Sequence, residues 1–376
     1  MEFRILLACA LLLGACGESA GSPCCMGGAG GAGGSAGGGG DGGSGGIGGA
    51  GGGVVSDLEV CTFISGLDKP WDIAWLPNGT VLVTERPGRL NVYVDGVDAQ
   101  PFTISPSDVV STGGEGGMMG LEVDPDFSAN GYVYVCMASD AGEANDVRLV
   151  RYELETPNGG AMVNRTDPNG DLWVGTGDAA FGTAPQDDDS LGGKVLRIDR
   201  NGDAVPGNPD GRRWFSKGHR NVQGIAFRAR DGLGGLGVSA EHGPSVDDEL
   251  NLLVAGNFGW DPGPGPGYDE SGPMTDLTKF PDAVEAIWST GSPTLALSGA
   301  AFVEGDAWGD WDGVLAVATL AAKHLHIFFV NSDGDVTDDL RVIEDKGRLR
   351  SPRQGPDELL YITTDGGGSG GEVLRV

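Results

Sequence analysis

Asp124 to Met137 reads DPDFSANGYVYVCM: a Pro-Asp turn, then a run in which aromatic and β-branched residues alternate. Proline presets the backbone dihedral that opens a turn, and alternating Tyr and Val suits a pleated, half-buried strand. The same unit recurs as LPNGTVLVTERPG at 76–88, DPNGDLWVGTGD at 167–178 and GPDELLYITTDGG at 355–367. Weaker copies stand at 232–243, GLGGLGVSAEHG, and at 311–320, WDGVLAVATL. Most successive units lie roughly 40–65 residues apart, the period of propeller blades. No long segment carries a helical 3.6 period, and a sandwich would use fewer, more evenly spaced strands. Six such units predict an all-β chain folded as a six-bladed β-propeller over residues 54–376.

Ahead of that domain the composition changes twice. Residues 1–15 have a short start with Arg4 and an apolar run, ILLACALLLGA, which marks a signal peptide. Leu13-Gly14-Ala15-Cys16 resembles a bacterial lipobox, which would make Cys16 the lipidated first residue of the mature chain; an ordinary secretory signal cut nearby is the alternative. Either way the protein is expected to be exported, to the periplasm or the outer membrane. Residues 16–53 are Gly-, Ser- and Ala-rich and hold much of the chain's 70 glycines. Such a segment cannot bury enough apolar area to offset its ordering entropy, so it is expected to be a flexible tether. Export permits disulfides. Cys61 and Cys136 are the cysteines of the folded part, as a pair or as two buried thiols.

With 54 acidic and 24 basic residues the formal charge is −30. That argues against nucleic acid or anionic lipid as a partner, since both require a basic footprint. Contact with a membrane is expected only through the lipid on Cys16. Against this acidic background, a few arginines stand out by position. WFSKGHRNVQGIAF at 214–227 sets His219, Arg220 and Asn221 just before an apolar run. VSAEHGPSVDDELNLLVAGNFGW at 238–260 follows with a Gly-Pro turn and three carboxylates, Asp247, Asp248 and Glu249. A guanidinium fork pairs with a planar carboxylate, and carboxylates beside exposed carbonyls suit a hard cation such as calcium. The stretch therefore predicts one site for an acidic small molecule and a metal.

These motifs, in order, resemble the soluble quinoprotein aldose/glucose (glucose/sorbosone) dehydrogenases. GLDKPWDIAWLPNGTVLVTERPGRL resembles the family's first blade and GGEGGMMGLEVDPDFSANGYVYV its second. LGGKVLRIDRNGDAVPGNP precedes GHRN as it does in the family, and RLRSPRQGPDELLYITTD resembles the last blade. The resemblance implies pyrroloquinoline quinone (PQQ) and calcium as cofactors, and an aldose oxidised at its C1 hydroxyl to the lactone. It implies that Arg220, Asn221, Arg348 and Arg350 hold the quinone, with the Thr294 hydroxyl near it. The carbonyls of Gly243 and Pro244 would bind the calcium beside the quinone, and Glu249 a further, structural calcium. On the residues alone, Arg348 and Arg350 are also compatible with surface ion pairs, and 247–249 with a solvated turn. His219 reads as a satisfied histidine of the turn, His242 as orienting the Gly-Pro turn, and His324 and His326 as packed or solvated.

The chain departs from the family at the base. The family's proton-accepting histidine precedes the Gly-Asp turn, but TPNGGAMVNRTDPNGDLWVGTGD at 156–178 contains no histidine, and Gly159 or a neighbour stands in its place. The segment 153–164 is shorter than its counterpart by about a strand and a turn. Ala321 stands at the family's cofactor lysine, with Lys323 two residues on, and Trp288 is the nearest match for a tryptophan stacked on the quinone. Losing a positioned base costs roughly 10²–10⁴-fold in rate. The alternatives are thus a propeller without turnover that binds a sugar, another ligand or a partner at the cell surface, and, more distantly, a calcium-dependent lactonase.

Overall fold

The computed structural model describes residues 3–5, 58–94, 96–106, 109, 116–139, 146–154, 171–230, 233–263 and 268–376. They form six sheets of four strands. The first runs through Pro70–Trp75, Val81–Glu85, Arg89–Tyr93 and Phe102–Ile104, and the second through Met118–Val123, Tyr132–Ser139 and Asp146–Leu154. The third holds Leu172–Gly175, Lys194–Ile198 and Trp214–Lys217, and the fourth Val222–Arg230, Leu233–Glu241, Glu249–Leu252 and Trp288–Ser289. Leu297–Val303, Val314–Thr319, Leu325–Val330 and Val336–Val342 make the fifth; Leu349–Gln354, Leu360–Thr364 and Gly371–Arg375 begin the sixth.

The sixth sheet is completed from the other end of the domain. Cys61–Leu67 pairs antiparallel with Gly371–Arg375, Cys61 opposite Arg375 and Thr62 opposite Leu374, so the ring is latched by its first and last strands. This is a six-bladed β-propeller, as the repeats predict. Among the described residues, the units at 76–88, 124–137 and 355–367 each supply a turn and the strand after it. In DPDFSANG the turn tightens into one helical turn, Phe127–Asn130. Asp124 organises it by accepting from the Asp126 amide at 2.8 Å, the Asn130 side chain at 2.9 Å and the Tyr134 hydroxyl at 2.6 Å. Gly131 ends it in the left-handed region, where a Cβ would lie 2.8 Å from the Leu154 carbonyl.

Two sheets recruit their outer strand from elsewhere. Gly256–Asn257 runs parallel to Trp214–Lys217 in blade 3, and Phe3–Ile5 runs parallel to Asp146–Leu154 in blade 2. The expectation that residues 1–15 take no part in the fold therefore meets a strand there; removal of a leader would leave three strands in that blade. Residues 16–53 lie outside the described part. Cys136 is a free thiol and Cys61 is disulfide-bonded, so the two are not paired with one another.

Apolar side chains fill the seams between blades. One cluster packs Leu82, Leu90 and Val92 of blade 1 on Leu121, Val133 and Tyr152 of blade 2, and others join blades 2 and 3, 4 and 5, 5 and 6, and 6 and 1. Among the described residues no such buried cluster joins blades 3 and 4; that seam combines one aromatic contact, Trp173 on Phe227 with ring centres 5.4 Å apart, with a set of polar contacts. Across the inner strands, Arg353 donates to both Asp72 oxygens at 2.7 and 2.6 Å and to Glu122 at 3.1 Å, which ties blade 6 to blades 1 and 2.

Candidate functional site

At the polar seam the GHRN stretch turns out of blade 3. Gly218 sits at a φ of 75°, and a Cβ there would lie 2.1 Å from the Asn257 side-chain oxygen, so only glycine fits. His219 is buried, with Nε2 2.8 Å from Ser216 Oγ, Nδ1 2.9 Å from Glu241 Oε2, and its ring stacked on Phe258. The other Glu241 oxygen accepts the Arg220 amide. His219 is thus the satisfied histidine expected from sequence. It fixes the turn and leaves Arg220 to point outward.

Arg220 donates from Nη1 to the His242 carbonyl at 2.8 Å, and from Nη2 and Nε to Glu270 Oε1 at 2.6 and 3.2 Å. Asn221 Oδ1 accepts from the Gln223 side chain at 2.9 Å. Gln223 Oε1 in turn lies 3.5 Å from Arg350 Nη1, across the ring in blade 6. Arg350 is 1 % exposed, so the reading of it as a surface pair does not hold. Its guanidinium lies 4.0 Å from the centre of the Trp71 ring and 3.6 Å from Asp365 Oδ1. Arg348, more exposed, donates to Asp365 Oδ2 at 2.9 Å. A continuous polar path, Asn221–Gln223–Arg350–Asp365–Arg348, therefore joins three of the four residues expected to hold the quinone, and Arg220 precedes Asn221 in the chain with its side chain on His242 and Glu270.

The Gly-Pro turn lies next to it, organised by Asp248. This carboxylate has no exposed surface and accepts from the Gly243 amide at 2.8 Å, the Thr294 hydroxyl at 2.5 Å and the Leu295 amide at 2.7 Å. Burial alone would raise its pKa; His242, 3.3 Å away, the Thr294 hydroxyl and the Gly243 amide outweigh that and hold it below the usual carboxylate range. His242 therefore acts on the turn through Asp248, and the Thr294 hydroxyl is spent on the same carboxylate. Among the described residues no hydrogen-bond donor engages the carbonyl oxygens of Gly243 and Pro244. A Cβ on Gly243 would lie 2.0 Å from the Val246 carbonyl and 2.7 Å from that of Asp247, so the turn is folded back on its own oxygens. Glu249 keeps a different set of neighbours. It faces Glu241 across two strands, and burial together with that like charge pushes it up to about 8. No cluster of three or more His, Cys, Asp or Glu side chains among the described residues is placed to hold a metal, so carbonyl oxygens carry the calcium fit.

Other expectations fall away from the mouth. Trp288 packs against Phe328 and His326 in the outer part of blades 4 and 5; the aromatic at the mouth is Trp71. His324 and His326 are buried, 3.2 Å apart, with His326 2.7 Å from Asp339. Lys323 is exposed on a left-handed loop position. The stretch 155–170, where the family's histidine would stand, lies outside the described residues.

Sequence reading names Asp178 only as a partial substitute for the base, beside Lys323, and missed Trp71, Gln223, Asp365, Trp260, Tyr268 and Glu270. Asp178 is buried and accepts from Trp260 Nε1 at 2.8 Å and from the Tyr268 hydroxyl at 2.6 Å. Its amide donates to the Arg220 carbonyl at 2.8 Å, and Gly177 bridges to Asn221, so this acid lies directly behind the arginine. The available signal was the Gly-Pro sequence DPGPGPG at 261–267 followed by Tyr268-Asp269-Glu270, polar side chains just after a run that composition marks as a connection between strands.

The family model described as Glucose / Sorbosone dehydrogenase matches residues 67–165 and 155–375. The chain belongs to that family. It is 32% identical to the aldose sugar dehydrogenase YliI of Escherichia coli, over 82% of this chain and 90% of that one. A solved structure described as a glucose dehydrogenase superposes with a TM-score of 0.70 at 29% identity, covering 85% of this chain and 99% of the other. The PQQ-bound form of aldose sugar dehydrogenase from Streptomyces coelicolor superposes with a TM-score of 0.64 at 27% identity, over 84% and 98%.

Proposed function

We propose that this protein is a PQQ- and calcium-dependent dehydrogenase of aldose sugars, oxidising the C1 hydroxyl to the lactone and passing the hydride to the quinone. The observation that carries this reading is the polar path that joins Asn221, Arg350 and Arg348, with Arg220 next to Asn221 in the chain, in a protein of −30 net charge. Glu270 supports the fit. Its carboxylate already lies against the Arg220 fork, standing in for a carboxylate of the quinone.

Arg220 and Arg350 bind and orient the cofactor from opposite sides of the ring, and Trp71 gives Arg350 a flat apolar backing. The Gly243 and Pro244 carbonyls supply hard oxygen ligands of the kind calcium takes. Asp248, through the Gly243 amide and the Thr294 hydroxyl, keeps that turn shaped for them. Glu249, buried beside Glu241, fits a ligand of a second, structural calcium. When bound, the quinone supplies the two-electron acceptor and calcium polarises it. Membership of the family weighs against the reading as a propeller without turnover. The chain is further proposed to be exported and held at the cell envelope by lipid on Cys16.

The test is titration of the purified domain with PQQ and calcium, followed by absorbance, then addition of glucose. Saturable loading and bleaching of the oxidised quinone by an aldose are expected. Loading followed by no reduction with any aldose would overturn the reading.

A further inference from the structure

We propose that Tyr268, backed by Asp178, takes the hydroxyl proton of the sugar in this chain, where the run 156–178 has no histidine. The assignment rests on the functional reading above, and its first ground is position. The Tyr268 oxygen lies 2.6 Å from Asp178 Oδ2, and Asp178 is tied through its amide to the carbonyl of Arg220, the residue expected to hold the cofactor. Tyr268 is half-buried, so its oxygen is reachable, whereas Asp178 beneath it is 5 % exposed.

The second ground is elimination among the described residues of this seam. Both ring nitrogens of His219 are engaged, by Ser216 and Glu241. His242 turns Nδ1 toward Asp248 at 3.3 Å and meets Arg220 through its carbonyl, which leaves its Nε2 as the rival acceptor. Lys194 is wrapped by the carbonyls of Ala184, Pro185 and Gly192 at 2.6, 3.0 and 2.8 Å. The reactive oxygen of Asp178 already accepts two donors. Tyr268 differs from His219, Lys194 and Asp178, and unlike His242 it is coupled to a buried carboxylate at 2.6 Å. Its hydroxyl donates to Asp178, which leaves the oxygen's lone pairs turned elsewhere and able to accept a proton. Burial, the hydrogen bond to Asp178 and that group's charge raise the phenol's pKa, with Glu270 adding to this and Arg220 opposing it. The hydroxyl therefore stays protonated at neutral pH and works as a relay, never as a standing tyrosinate.

In the step proposed, the sugar's C1 O–H bond breaks and a new H–O bond forms on Tyr268. The phenol's own proton crosses the 2.6 Å hydrogen bond to Asp178 Oδ2. The C1–H bond breaks with its electron pair, which leaves as hydride to the ortho-quinone; the sugar loses two electrons and the quinone gains them. Asp178 releases its proton to solvent after the product leaves. Trp260, donating to the same oxygen, holds the carboxylate in place.

The experiment compares wild type, Tyr268→Phe and Asp178→Asn, all loaded with PQQ and calcium, by stopped-flow reduction with glucose. Tyr268→Phe is expected to load within about twofold of wild type and to be reduced roughly 10²-fold or more slowly, as for loss of a positioned proton acceptor. Asp178→Asn should be slowed comparably, and the double variant little further, because the two act as one unit. An independent readout needs no cofactor. With tyrosines labelled at the ring carbon bearing oxygen, the NMR resonance lost in Tyr268→Phe should show no ionisation at the ordinary pH of about 10 and should shift in Asp178→Asn. Reduction of loaded Tyr268→Phe within about threefold of wild type overturns the assignment and leaves the family reading standing. So does a Tyr268 resonance that titrates normally and ignores Asp178→Asn. A wild type that loads but oxidises no aldose overturns both.

Discussion

Replacing Asp248 tests whether the Gly-Pro turn is built for a cation or merely placed there. The carboxylate receives the Gly243 amide at 2.8 Å, the Thr294 hydroxyl at 2.5 Å, the Leu295 amide at 2.7 Å and the Leu297 amide at 3.3 Å. Hydrogen bonds to a charged group are each worth roughly 1.5–3 kcal/mol, and donors left unsatisfied in the interior cost about 1–3 kcal/mol each. Partial relaxation and some water entry reduce the sum, so Asp248→Ala is expected to lose about 4–6 kcal/mol. That is a large share of the ~5–15 kcal/mol typical of a domain, and the variant is expected to fold poorly. Asp248→Asn keeps one acceptor but turns an NH₂ toward donors; about 2–4 kcal/mol is expected, read from the urea midpoint at unchanged slope. Its calcium affinity should fall at least about tenfold, because the carbonyls of Gly243 and Pro244 lose their fixed spacing. The pH dependence follows from the depressed pKa. The stabilisation is fully present above the unfolded value near ~3.9 and is lost as pH falls through the lower folded value. Acid unfolding of Asp248→Asn should accordingly be less steep. An Asp248→Asn protein within about 1 kcal/mol of wild type, with unchanged calcium affinity, would refute the reasoning.

Asp72→Ala should destabilise the ring by about 2–4 kcal/mol, because it leaves the buried Arg353 charge with Glu122 as its one carboxylate partner; equal urea midpoints for the two proteins would contradict this. Glu270→Gln removes the carboxylate that rests on Arg220, and PQQ should then bind more tightly, by no more than about fivefold, since partly exposed pairs are worth about 0–1 kcal/mol; weaker binding in the titration would show that Glu270 helps to hold the cofactor. The Cys136 thiol, pushed up to about 11 by burial with a smaller contribution from Asp72, should react with a thiol reagent at pH 8 roughly 10²-fold more slowly than a free cysteine, and at the normal rate once unfolded.

Much of the fold was legible because blade strands announce themselves locally. A turn such as DPDFSANG and the run YVYV that follows are adjacent in sequence, so composition alone marks them. The latch was not legible, because the pairing of Cys61–Leu67 with Gly371–Arg375 depends on ring closure and not on either sequence. Of the site, Arg220, Asn221, Arg348 and Arg350 were readable from motifs, since each lies next to a turn with a fixed pattern. Their partners were not. Gln223 and Asp365 are ordinary strand and turn residues until the ring brings them together, and Trp71 became the mouth's aromatic, in place of Trp288, only through a contact that spans most of the chain.

The polar seam between blades 3 and 4 connects these observations. Elsewhere the blades meet through Leu, Val and aromatic side chains, which pack without direction. Here, beside the Trp173–Phe227 contact, they meet through His219–Glu241, Arg220–His242 and Gly177–Asn221, contacts with fixed geometry. Each polar group here has one allowed direction, which an apolar cluster cannot impose. Tyr268 and Glu270 then close over the seam from a single glycine-proline loop, one side chain on Asp178 and the other on Arg220. Whatever moves that loop moves the proposed proton acceptor and the cofactor's competitor together. Binding of a carboxylate at Arg220 should therefore be felt at Tyr268, and loss of the Tyr268 hydroxyl should loosen the hold of Glu270 on Arg220 without altering the blades beneath.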